Sequence, residues 1–202
     1  MAFQLVQIVY WLALATWFGG VMFVAVAAPV IFRTVRENNP VLTHVLSVNL
    51  EGQHATLLAG SIVGNVLLRL SQVELACAIA LVLALIGQFF VADLGGSNFT
   101  ESNLTAAVIR CVLCVAAAGV VAYDRFVVWP AIEKFRSTYV DHADEPEVAN
   151  PAKDGFDREH RRSMTLLTVT LGLLLLLIMY SSNITVRTTR TATPPPTAGA
   201  AR

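Results

Sequence analysis

Charge is what this chain has least of. Only 14% of its 202 residues are Asp, Glu, Lys or Arg, against roughly a quarter in soluble domains. The 14 basic and 14 acidic residues cancel, which removes the strongly basic face that a nucleic-acid partner requires. No Lys or Arg precedes the first apolar run, and Arg33 is the first charged residue of the chain. A cleaved secretory signal needs a basic start and a short apolar core, so this opening run is expected to stay in place as a membrane span. Cysteine is scarce as well. Cys77, Cys111 and Cys114 are odd in number and sit inside apolar runs, the wrong setting for a disulfide framework. The four histidines, His44, His54, His142 and His160, all fall outside the spanning runs, which argues against a membrane-embedded bis-His haem. P-loop, nucleophile-elbow and zincin motifs are missing. Neither an enzymatic activity nor a cofactor follows from the sequence.

What the chain has in abundance is apolar surface, 55% of residues with a mean hydropathy of +0.63. A helix needs about 20 apolar residues to cross a bilayer, and four runs meet or approach that length: 5–32, 75–92, 104–128 and 164–180. The expected fold is an all-α, multi-pass transmembrane helical bundle with four spanning helices in a single domain over 1–182. Pro29 is expected to bend or end the first helix. A fifth segment, 53–70, is two-sided. Gly60, Ser61, Gly64 and Asn65 share one helical face, and Leu58, Ile62, Val66 and Leu70 share another. It reads as a separate amphipathic helix, lying at the interface or packed inside the bundle. The stretch 137–158 is charged, acidic in its middle and contains Pro, the composition of a flexible loop. The Thr-, Pro- and Ala-rich tail over 183–202 reads as disordered.

Lys and Arg counts orient the bundle. The connector from Arg33 to Arg69 carries three, and the stretch from Arg125 to Arg162 carries seven. The turn between the second and third spans has none, and the tail has Arg187, Arg190 and Arg202. With four spans, ten basic residues lie on one side and three on the other. Both termini are therefore expected on the non-cytoplasmic side of the cell membrane.

Few residues carry chemistry. Arg110 lies within the third span, where a charge costs roughly 2.5–3.5 kcal/mol at the bilayer centre. It either meets a partner inside the bundle, with Asp93 and Glu101 as candidates, or snorkels to the nearby surface. Cys111 and Cys114 form a C-x-x-C pair on one helical face, a soft-metal or redox arrangement or simply small apolar filling. His54 and His160 both fall at the same membrane boundary, where they could converge on a cation or cap helices among the headgroups. The lipid bilayer is the implied partner. Small-residue faces such as Gly60-x-x-x-Gly64 also suit close approach to a second copy or another membrane protein.

Several stretches carry a likeness to a known family. They are Trp17-Phe18-Gly19-Gly20 followed by Ala28-Pro29-Val30-Ile31-Phe32, Ala59-Gly60-Ser61-Ile62-Val63-Gly64 leading to Leu70 and Glu74, and Trp129-Pro130-Ala131-Ile132. The last is Phe156 to Ser163, which resembles a Phe-x-x-x-His-x-x-Ser pattern at Phe156, His160 and Ser163. In order and spacing, over most of residues 11–180, the chain resembles the transmembrane protein 205-like family, also called domain of unknown function 4149. Asn65 and Leu67 depart from its usual bulkier residues. The resemblance implies a multi-pass helical membrane protein and supplies no reaction. It singles out Gly60, Gly64, His160 and Ser163 beside Arg110 as functional candidates. The leading expectation is a non-enzymatic protein handling a small solute, metal or lipid. One alternative is a copper-resistance-D-like or haem-associated membrane protein, which also opens on a Trp-x-Gly-Gly-type helix. Another is a membrane scaffold or assembly partner acting through its polar loop.

Overall fold

The computed structural model describes residues 2–42, 52–94 and 101–182. The tail over 183–202 and most of the connector between the first two spans lie outside the described residues. Every regular element among the described residues is helical: α1 (Ala2–Glu37), α2 (His54–Leu94), α3 (Glu101–Tyr123), a π-helical turn (Asp124–Val128), α4 (Trp129–Asp141) and α5 (Pro146–Ser182). The π turn joins α3 to α4 without a break, so there are four long rods, each long and apolar enough to cross a membrane. The chain is an all-α helical bundle of the multi-pass membrane class.

Three boundaries differ from the sequence reading, each for a physical reason. The segment 53–70 is not a separate helix but the first half of α2, whose 41 residues run unbroken to Leu94. No Gly or Pro punctuates the stretch from Ser71 to Glu74, so nothing there ends a helix. The stretch 137–158 is not a loop. α4 continues to Asp141, a turn covers 142–145, and α5 starts at Pro146, where proline suits the first helical position because its missing N–H would be unpaired anyway. Pro29 does not end α1, which continues to Glu37.

The rods exceed the bilayer. At 1.5 Å per residue the 36 residues of α1 span about 54 Å and the 41 of α2 about 61 Å, against a hydrocarbon core of about 30 Å. The core sits where α1, α2, α3 and α5 meet. Tyr10, Leu14 and Trp17 of α1, Leu81 of α2, Cys114 of α3, and Leu174 and Leu177 of α5 are fully buried. On α3 the inward residues Ala107, Arg110, Cys114, Ala117 and Val121 recur at the alternating three- and four-residue spacing of knobs-into-holes packing. Large apolar residues such as Phe23, Leu83, Phe90, Val115 and Met179 point outward and stay exposed, as a lipid-facing belt requires.

Packing is uneven along the bundle. α1 lies along much of α2, α4 lies along α5, and α3 packs on both α2 and α5, whereas α2 makes almost no close backbone approach to α4 or α5. At the end holding the α4–α5 turn, the bundle therefore parts into two helix pairs, α1–α2 and α4–α5.

Candidate functional site

The gap between the two pairs is a cavity of about 340 Å³. Small residues shape its α2 wall. A Cβ at Gly60 would meet nothing within 4 Å, and one at Gly64 would make only ordinary contact, with Arg136 at 3.6 Å and Trp129 at 3.8 Å. The opposite wall comes from the π turn and α4, which present Asp124, Arg125, Trp129, Ile132, Glu133, Arg136 and Tyr139. Arg125, Trp129, Ile132, Arg136 and Tyr139 recur at three- to four-residue spacing, one helical face, with Glu133 beside it. α5 closes the third side with Lys153, Phe156, Asp157, His160, Ser163 and Met164. A hydrogen bond from Tyr139 Oη to Gln53 Oε1, 2.9 Å, bridges the gap.

The walls hold their shape through contacts among the lining residues and behind them. α4 and α5 meet closely at Gly155, beneath the Phe135 ring, and the Arg158 guanidinium lies 6.0 Å from the centre of that ring. Phe156 and His160 stack with centroids 5.6 Å apart and planes 4° from parallel. Arg162 sits over the Tyr123 ring at 5.1 Å and 3.5 Å from the Glu159 carboxylate.

Toward the bundle core the cavity ends at two carboxylates. Glu74 is 5% exposed and accepts a hydrogen bond of 3.3 Å from Trp17 Nε1. Asp124 stands on the π turn and lines the cavity together with Ser163 of α5. Its buried Oδ1 has no hydrogen-bond partner among the described residues. The two carboxylates also line together a small pocket beside Val121, Leu166 and Thr170.

A second polar layer crosses the bundle nearer its other end. Arg110 Nη1 donates to Gln88 Oε1 at 3.4 Å, and Gln88 Nε2 donates to Gln7 Oε1 at 3.0 Å. The Arg110 guanidinium lies 5.8 Å from the centre of the Tyr10 ring, and the Tyr10 hydroxyl pairs with Ser181. This chain of contacts joins α1, α2, α3 and α5. The 14 residues from Arg110 to Asp124 correspond to about 21 Å of helix, so the two polar layers lie toward opposite faces of the span, with the apolar core between them.

The candidates named from sequence divide accordingly. Gly60, Gly64, His160 and Ser163 all line the cavity. Arg110 is 5% exposed, so it does not snorkel. The side chains of Asp93 and Glu101, named as its partners, lie outside the described residues. His54 and His160 do not converge. His160 faces the cavity, whereas His54 Nδ1 accepts the Leu42 backbone N–H at 3.3 Å and is not part of the lining. Cys114 is buried in the core and Cys111 packs against it. Among the described residues no group of three or more His, Cys, Asp or Glu is arranged to hold a metal ion.

Glu74, Trp17, Asp124, Arg136 and the Gln7–Gln88 pair were not identified from sequence as site residues. The available signal was Glu74 itself, an acidic residue between two apolar stretches with no breaker on either side. Comparison of the chain with protein-family models, curated proteins and solved structures found no match.

Proposed function

We propose that this protein is a non-enzymatic multi-pass protein of the cell membrane that binds a small amphiphilic solute in the cavity between its two helix pairs. The observation that carries the reading is the cavity. Its volume of about 340 Å³ falls within the range of small-molecule sites, which are concave, mostly apolar and furnished with a few polar groups. Here Phe32, Leu67, Leu70, Trp129 and Met164 supply apolar surface, and charged groups stand at intervals among them. The excess of Lys and Arg on the connector and the Arg125–Arg162 stretch supports a cavity facing the cytoplasm, with both termini on the opposite side. Two of the stretches that resemble the transmembrane protein 205-like family supply Gly60, Gly64, His160 and Ser163 to the cavity, which favours placing the chain in that family.

The test uses a Gly60→Cys variant carrying Cys77→Ala and Cys111→Ala, reconstituted in nanodiscs and labelled with a small maleimide. Octanol at about ten times its Kd fills roughly nine-tenths of the sites, so labelling at position 60 slows about tenfold. A Val41→Cys control on the exposed connector keeps its rate. If octanol, octylammonium and octanoate all fail to give saturable protection, the cavity is not a binding site for amphiphiles.

A further inference from the structure

We propose that the inner end of the cavity is a cation site, formed by Glu74 and Asp124, that takes the ammonium group of a small amphiphilic amine. This rests on the cavity being a binding site and names the class of ligand it selects.

Glu74 is nine-tenths buried or more and has Trp17 Nε1 as a donor to Oε1. Asp124 has a buried oxygen with no donor among the described residues. A buried acceptor left unmade costs about 1–3 kcal/mol, more when charged. Two neighbouring carboxylates in a weakly hydrated site also repel, and a cation between them relieves the repulsion. The missing group is therefore a positively charged donor, and it must reach the site through the cavity.

The surroundings set the rest of the ligand. Leu67, Leu70, Met164 and Leu167 line the same cavity, and Leu167 also shares the small pocket with both carboxylates, so the body attached to the cation is apolar. A bare divalent ion fits poorly. Hard cations such as calcium take six to eight oxygen ligands, and no group of three or more His, Cys, Asp or Glu assembles among the described residues. A primary ammonium needs only three acceptors. Asp124, Glu74 and the hydroxyl oxygen of Ser163 can supply them. Elsewhere in the cavity the signs are mixed, with Glu133 and Asp157 beside Arg125, Arg136 and Lys153, so charge selection falls to the inner pair.

The experiment compares three probes of equal chain length by protection of the Gly60→Cys variant in nanodiscs. Octylammonium should protect at a concentration about tenfold lower than octanol, the order of one charge-assisted hydrogen bond, and octanoate should protect least. Adding Glu74→Gln or Asp124→Asn should bring octylammonium to within about twofold of octanol while octanol protection persists. Glu74→Gln keeps a carbonyl for Trp17 Nε1, and the comparison in the unmodified site needs no carboxylate variant at all. Equal protection by octylammonium and octanol, or preference for octanoate, overturns the cation site while leaving amphiphile binding intact. A preference that survives both carboxylate variants overturns it too. Protection by none of the three overturns the binding reading itself.

Discussion

The α4–α5 wall of the cavity depends on one close approach, and a single methyl group tests it. In a Gly155→Ala variant the new Cβ would fall 2.6, 2.7 and 2.9 Å from three atoms of the Phe135 ring. Ordinary contact begins near 3.4 Å, so the ring, or α4 with it, must move by close to an ångström. Overpacking of this kind costs about 1–3 kcal/mol. The same change removes a helical glycine, which returns about 1 kcal/mol, so the net effect lies between about zero and 2 kcal/mol of destabilisation. Gly60→Ala is the matched control. It gains the same helical preference and its Cβ meets no atom within 4 Å, so it should stabilise by up to about 1 kcal/mol. The difference between the variants isolates the steric cost at about 1–3 kcal/mol. Equilibrium unfolding in mixed micelles, followed by helical circular dichroism, measures both. Equal stability of the two variants would refute the described α4–α5 contact.

Two further pairs of substitutions probe the membrane layers by the same assay. Gln88→Leu removes the side-chain acceptor of Arg110 and should cost about 1.5–3 kcal/mol, the loss of a hydrogen bond to a charged group; Gln88→Glu supplies a counter-charge and should be clearly more stable than Gln88→Leu. Leu81→Ala, at a position with no exposed surface, should cost about 2–5 kcal/mol, whereas Leu83→Ala, at a position 62% exposed, should stay within about 0.5 kcal/mol.

The four rods were legible because a helix that crosses lipid must be apolar over about 20 residues, and that constraint is written in composition. The joins were harder to read. Polar residues at 71–74 resembled a break between two helices, yet a helix continues through polar residues wherever nothing interrupts its hydrogen bonds. The acidic 142–155 stretch resembled a loop by composition, but Phe135 packs against Gly155 and Arg158 extends over the same ring, and such tertiary contacts hold helices that local preference leaves undecided. The site was legible in part. Gly60 and Gly64 stood out through their spacing, and His160 and Ser163 through the resemblance. Glu74 and Asp124 did not, because their meaning lies in lining one cavity from α2 and the π turn. Arg110 was visible as a charge out of place, but its partners Gln88 and Tyr10 come from two other helices, at distances along the chain that no local pattern reports.

The central claim is that the bundle opens between its two helix pairs on one face and is sealed toward the other. Sided labelling of the Gly60→Cys, Cys77→Ala, Cys111→Ala protein with a membrane-impermeant maleimide tests it directly, with native Cys114, which has no exposed surface, as the internal reference. The predicted result is modification at position 60 only from the face carrying the 142–145 turn, with Cys114 unreacted from both faces. Position 60 as inert as Cys114, or labelled from the face bearing the N-terminus, would contradict the account.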